Sequence, residues 1–134
     1  MEAPTNNQKQ YKILIVEDDK FLLDLVSKSL EQGGFIINTA TSGESAFRKL
    51  AEFRPDIILL DIVLPGIDGF EFLSRIKKDK DFSSVPVIML SNSEKEEEIE
   101  RAKNLGADDF MVKVNFTTEE IVSRVKDVLS KKYF

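Results

Sequence analysis

Histidine and cysteine are both absent from this chain, so any chemistry must rest on carboxylates, hydroxyls and lysines. No imidazole is present to carry a proton, a phosphoryl group or a transition metal, and no thiolate to attack or to build a zinc site. Five of the remaining groups stand out by position. Glu17 and Asp18 follow the apolar run 13–16, Asp61 follows 57–60, Ser91 follows 87–90 and Lys113 follows 110–112. If these positions converge, three carboxylates would repel one another unless a hard cation neutralised them. Oxygen ligands of this kind suit Mg²⁺, or alternatively Mn²⁺. The economical arrangement has Asp18 and Asp61 on the ion and Glu17 acting through water. A carboxylate beside such an ion and an ammonium group is equipped to attack phosphorus in line, because both cations take up charge on the transferring oxygens. The product would be an aspartyl phosphate.

Convergence depends on the elements that carry these residues. The runs 13–16, 35–37, 57–60, 87–90 and 110–112 are short and unbroken, which predicts strands covered on both faces. Between them apolar residues recur at helical spacing: Leu22, Leu25, Val26 and Leu30; Phe47, Leu50 and Ala51; Leu73 and Ile76; Ile99, Ala102 and Leu105; Ile121, Val122, Val125, Val128 and Leu129. Gly33, Gly34 and Gly106 stand where helix C-termini need a positive φ. Asp68 with Glu71, Ser93 with Glu96 and Thr117 with Glu120 have capping-box spacing. A (βα)₅ alternation with right-handed crossovers gives a doubly wound parallel α/β sheet. Ligands of such sheets bind beyond the carboxyl ends of the strands, where all five residues fall. Taken singly, each has a plainer explanation: Asp18 or Asp19 as a helix cap, Lys113 as a solvated loop charge.

Size and composition narrow the function. At 134 residues with 42% apolar content the chain is expected to form one domain, residues 11–134, preceded by a polar, aperiodic leader over 1–10. Twenty-four acidic against nineteen basic residues give a net charge of −5, so no direct nucleic-acid or membrane partner is expected. No apolar run reaches membrane-spanning length and no signal region opens the chain, from which a cytoplasmic location is expected.

The segments 13–19 (ILIVEDD), 56–69 (DIILLDIVLPGIDG), 86–91 (PVIMLS) and 106–113 (GADDFMVK) together resemble the receiver domains of two-component response regulators, over roughly residues 11–132. The resemblance implies a flavodoxin-like five-stranded sheet of order 2-1-3-4-5. It also implies a phosphorelay switch, not a dedicated enzyme, in which Asp61 accepts a phosphoryl group from a histidine kinase or histidine phosphotransfer protein. Carried over by motif, Glu17 and Asp18 are the acidic pair, and the backbone carbonyl of Val63 completes the Mg²⁺ shell. Ser91 is the hydroxyl that follows the phosphoryl group, Lys113 its countercharge and Phe110 the switch aromatic, for which plain strand core is the alternative. Asp19 has no site role. Val63 and Ser93, two residues beyond Asp61 and Ser91, flank the path of the hydrolytic water, and an apolar Val63 implies a long-lived phosphoryl group.

Two departures stand out. Receivers usually follow the lysine with proline, often in a cis peptide; here Val114 follows, and a trans bond with a somewhat different placement of the last loop is expected. The residue after Ser91 is usually small, but here it is Asn92. No output domain is read after the last helix, which leaves a downstream effector protein reached by contact; the resemblance implies a contact face of the fourth helix (94–104), fifth strand and fifth helix. The competing functions are a phosphorylation-independent adaptor, which the intact acid set disfavours, and a Mg²⁺-dependent phosphatase, for which a second general acid is missing. A flavodoxin-like cofactor binder would need glycine and hydroxyls where the first loop has acids.

Overall fold

A computed structural model describes residues 10–133; the expected leader lies, but for Gln10, outside the described residues. The elements run β1 (Lys12–Val16), α1 (Lys20–Gln32), β2 (Ile36–Ala40), α2 (Gly43–Leu50), β3 (Ile57–Asp61) and α3 (Gly69–Lys78). They continue as β4 (Val87–Ser91), α4 (Glu96–Asn104), β5 (Asp109–Val112), a 3₁₀ turn (Lys113–Asn115) and α5 (Thr118–Tyr133). All pairings are parallel and the sheet order is β2-β1-β3-β4-β5, as expected.

Alternation along the strands divides the core in two. Leu14, Val16, Ile58, Leu60, Val87 and Met89 face α2, α3 and α4, where Leu50, Phe72, Leu73, Ile76 and Ala102 meet them. Ile13, Ile15, Ile57, Leu59, Ile88, Leu90 and Met111 face α1 and α5, against Leu23, Val26, Leu30, Val125 and Leu129. The three inner strands are buried throughout, apart from Lys12 at the start of β1. The edge strands are covered less completely, so β2 can carry Asn38 and Thr39 and extends beyond its apolar run.

Several expected helix ends are in place. Asp19 caps α1 by accepting from the amides of Phe21 and Leu22, and Asp68 caps α3 by accepting from Glu71 N at 2.9 Å. Thr117 and Glu120 form a reciprocal capping box before α5. The fourth helix is a correction. It begins at Glu96, with Lys95 at the N-cap position and no side-chain cap, because the Ser93 hydroxyl already accepts from Lys95 N at 3.1 Å in a turn outside the helix. Of the two adjacent glycines, Gly34 takes the positive φ (94°), while Gly33 sits at −78°.

At the amino end of the sheet the first and last described segments meet. The Tyr11 and Tyr133 rings lie 5.6 Å apart, and Tyr133 Oη donates to the carbonyl of Asp56 at 2.9 Å.

Candidate functional site

The carboxyl ends of β1, β3, β4 and β5 bring the expected residues to one rim. Glu17, Asp18 and Asp61 each offer a carboxylate oxygen within 4.8 Å of the others. Burial separates their circumstances. Glu17 and Asp61 are 2% and 6% exposed, whereas Asp18 is exposed. Asp61 ends β3 between two buried strands, and Glu17 is held by its own amide bond to Ala40 O and by accepting from Asp19 N at 3.1 Å.

Lys113 bridges the two buried acids. Its Nζ stands 2.6 Å from Glu17 Oε1 and donates to Asp61 Oδ2 at 3.0 Å. The peptide that follows it is trans, as expected for Val114. Burial works to lower the Lys113 pKa, but the bonds to Glu17 and the charge of Asp61 outweigh it and hold the ammonium above the usual lysine value. For Glu17 burial raises the pKa, the Asp61 charge adds to this, and Lys113 offsets them only in part, so the carboxyl stays above its ordinary range. Glu17 Oε1 is buried, and the Lys113 ammonium 2.6 Å away is its close polar partner. Three carboxylates with oxygens this close together, one of them exposed on Asp18, are a hard-oxygen donor set that fits Mg²⁺.

Ser91, 3% exposed, ends β4, and its Oγ accepts from Ser93 N at 3.0 Å, which leaves the hydroxyl proton free to be donated elsewhere. A hollow of about 330 Å³ opens beside Asp61 between the β3–α3 loop (Ile62, Val63) and the end of β4 with the loop after it (Ser91, Asn92, Ser93, Lys95). Val63 is 74% exposed on its wall. Phe110 is half-buried on β5 and packs against the core cluster on the α4 side. All the expected side chains except Phe110 therefore lie at the rim. A contact with no forewarning in the sequence also lies there: Asn115 Nδ2 donates to Glu94 Oε1 at 3.2 Å across two loops.

Comparison with known proteins agrees with this geometry. Residues 13–126 match the sequence profile of the family described as "Response regulator receiver domain". The alkaline phosphatase synthesis transcriptional regulatory protein PhoP of Bacillus subtilis is 36% identical over 120 residues, covering 90% of this chain and 49% of its own length. The phosphate regulon transcriptional regulatory protein PhoB of Escherichia coli is 38% identical over 120 residues, 90% of this chain and 52% of that protein. The chain thus spans about half the length of these curated relatives. Among solved structures, a putative response regulator from Chloroflexus aurantiacus superposes with a TM-score of 0.85 at 30% identity, covering 91% of this chain and 99% of that one. With its sheet order, its acidic rim and the match over residues 13–126, the chain belongs to the response regulator receiver domain family.

Proposed function

We propose that Asp61 accepts a phosphoryl group from a phosphohistidine on a kinase or phosphotransfer protein, and that the modified domain signals by protein contact. The observation that carries this reading is the buried Asp61 carboxylate held 3.0 Å from Lys113 Nζ at the edge of an open hollow. An Asp61 oxygen forms the new P–O bond as the donor's P–N bond breaks, and the departing imidazole keeps the electron pair. Lys113 balances the charge that develops on the phosphoryl oxygens, and the Ser91 hydroxyl donates to one of them. Asp18, Asp61 and the Val63 carbonyl, with Glu17 through water, would hold Mg²⁺, which when bound supplies further positive charge to the same oxygens. No proton needs to be abstracted from the nucleophile, which explains how a chain without histidine performs the transfer.

Receiver domains are generally switches and not dedicated enzymes, and the same is proposed here. PhoP and PhoB are named as transcriptional regulators. At net charge −5 this segment would serve such an output through protein contact, not through DNA. Among the described residues no helix is long and apolar enough to cross a membrane; a cytoplasmic setting, where kinases meet receivers, is part of the proposal.

Incubation with acetyl phosphate and Mg²⁺, read by intact mass, tests the assignment. Wild type should gain one phosphoryl group, the gain should vanish in EDTA, and Asp61→Asn should show none. An acid-stable phosphoryl group on Asp61→Asn would overturn it.

A further inference from the structure

The loop that carries Lys113 lacks the proline usual in its family, yet Lys113 reaches both acids. Its own backbone restrains it weakly, because the 3₁₀ turn closes through Phe116 N to Lys113 O at 3.5 Å, and Val114 is 77% exposed and packs on little. At the far end Phe116 is anchored under the Arg124 guanidinium, 5.2 Å from the ring centre, and against the α1–α5 core. Between these two points, among the described residues, the polar tie to the rest of the rim is the solvent-exposed bond from Asn115 Nδ2 to Glu94 Oε1. Glu94 belongs to a loop that is itself wound from the site. Ser93 N donates to Ser91 Oγ, and Lys95 N donates to Ser93 Oγ, so Glu94 sits on two successive serine turns that begin at the Ser91 hydroxyl.

We propose that Glu94 and Asn115 are positioning residues that brace the Lys113 loop against the Ser91 loop, so that the ammonium and the hydroxyl close on the phosphoryl group as one unit. The proposal rests on Asp61 as the acceptor. When the Ser91 hydroxyl turns to a phosphoryl oxygen, the serine turns shift Glu94, and through Asn115 that displacement is passed to the loop of Lys113. A hydrogen bond of this kind transmits movement between the loops, whereas the proline usual in the family would only stiffen one of them.

The test is the affinity for beryllofluoride in the presence of Mg²⁺, followed by amide NMR, in wild type, Asn115→Ala, Glu94→Ala, the double variant and Glu94→Gln. Each alanine variant should bind about two- to fivefold more weakly, the scale of one solvent-exposed polar contact whose loss loosens both loops. The double variant should be no worse than the weaker single one, because both remove the same contact. Glu94→Gln, whose amide oxygen still accepts, should bind at wild-type strength or more tightly. The sign is informative. Removing a negative charge near an anion site favours the anion, so weaker binding by Glu94→Ala runs against simple electrostatics and reports the lost brace. Unchanged or tighter affinity in Glu94→Ala, wild-type affinity in Asn115→Ala, losses that multiply in the double variant, or a Glu94→Gln as weak as Glu94→Ala would each overturn the brace. If wild type itself fails to bind beryllofluoride, the acceptor reading falls and the brace with it. Normal wild-type binding with unaffected variants removes the brace alone.

Discussion

Lys113 is the residue on which the resting site depends. Its ammonium compensates Glu17 and Asp61 together, and two buried carboxylates without it would be destabilising. Lys113→Met should cost about 2 kcal/mol at pH 7 in EDTA, less than the usual penalty for breaking a buried pair because Glu17 can escape by taking up a proton. The sign of the pH dependence follows. Glu17 already titrates above its ordinary value, and loss of Lys113 raises it further. A group raised in the folded state stabilises below its unfolded pKa and loses that contribution as pH rises through the folded one. The deficit of Lys113→Met against wild type should therefore shrink when pH is lowered from 7 towards 5, as urea midpoints would record; a deficit independent of pH would contradict it. Val63 makes a kinetic prediction. It lies exposed on the wall of the hollow and offers no hydrogen bond to orient water. Val63→Asn should speed loss of the phosphoryl group several-fold, measured by mass after the donor is removed. Unchanged or slower decay would show that Val63 does not shield the phosphorus.

At the scale of elements, the β3–α3 connection sets where Asp61 stands. Gly69 N donates to Ile62 O at 2.7 Å, and a Cβ on Gly69 would collide with the backbone carbonyl of Asp61 and come within 2.7 Å of Ile62 Cα. Gly69→Ala must push the acceptor's own backbone, at a cost of about 1–3 kcal/mol, and should shift the amide resonances of Asp61 and Ile62. A variant with wild-type stability and spectra would show that the loop yields freely. The same connection illustrates what the sequence makes legible. Asp68 with Glu71 announces a helix start, the run 57–60 announces a buried strand, and a residue at the end of one and before the other must lie on the rim. Position along strands thus located Glu17, Asp18, Asp61, Ser91 and Lys113. Ser93 has the spacing of a cap, but its hydroxyl is spent on a turn, so α4 starts later than that spacing implies. Ser42 and Ser45, a capping box before α2, lack the acidic partner that marks such a box. The Glu94–Asn115 contact joins loops 21 residues apart and leaves no periodic trace.

Taken whole, the molecule sets the rim close to the α4–β5–α5 face. Ser91 ends β4, Phe110 lies on the neighbouring β5 and packs towards α4, so a change at the acceptor has a short route to the α4–β5–α5 side. Beryllofluoride with Mg²⁺ should therefore move amide resonances on α4 and β5 as well as in the loops around Asp61; shifts confined to those loops would count against a switch. The opposite end of the sheet has a different character. There Tyr133 stacks on Tyr11 and bonds to the carbonyl before β3, bringing the two ends of the described fold side by side. In chain order the domain is thus nearly a closed ring, with its seam about 16 Å of strand away from the chemistry. Cargo attached through either end would hang from the same pole, opposite the acidic rim. The strand that follows the seam bond at Asp56 is the one that ends at Asp61, so a single strand separates that pole from the rim.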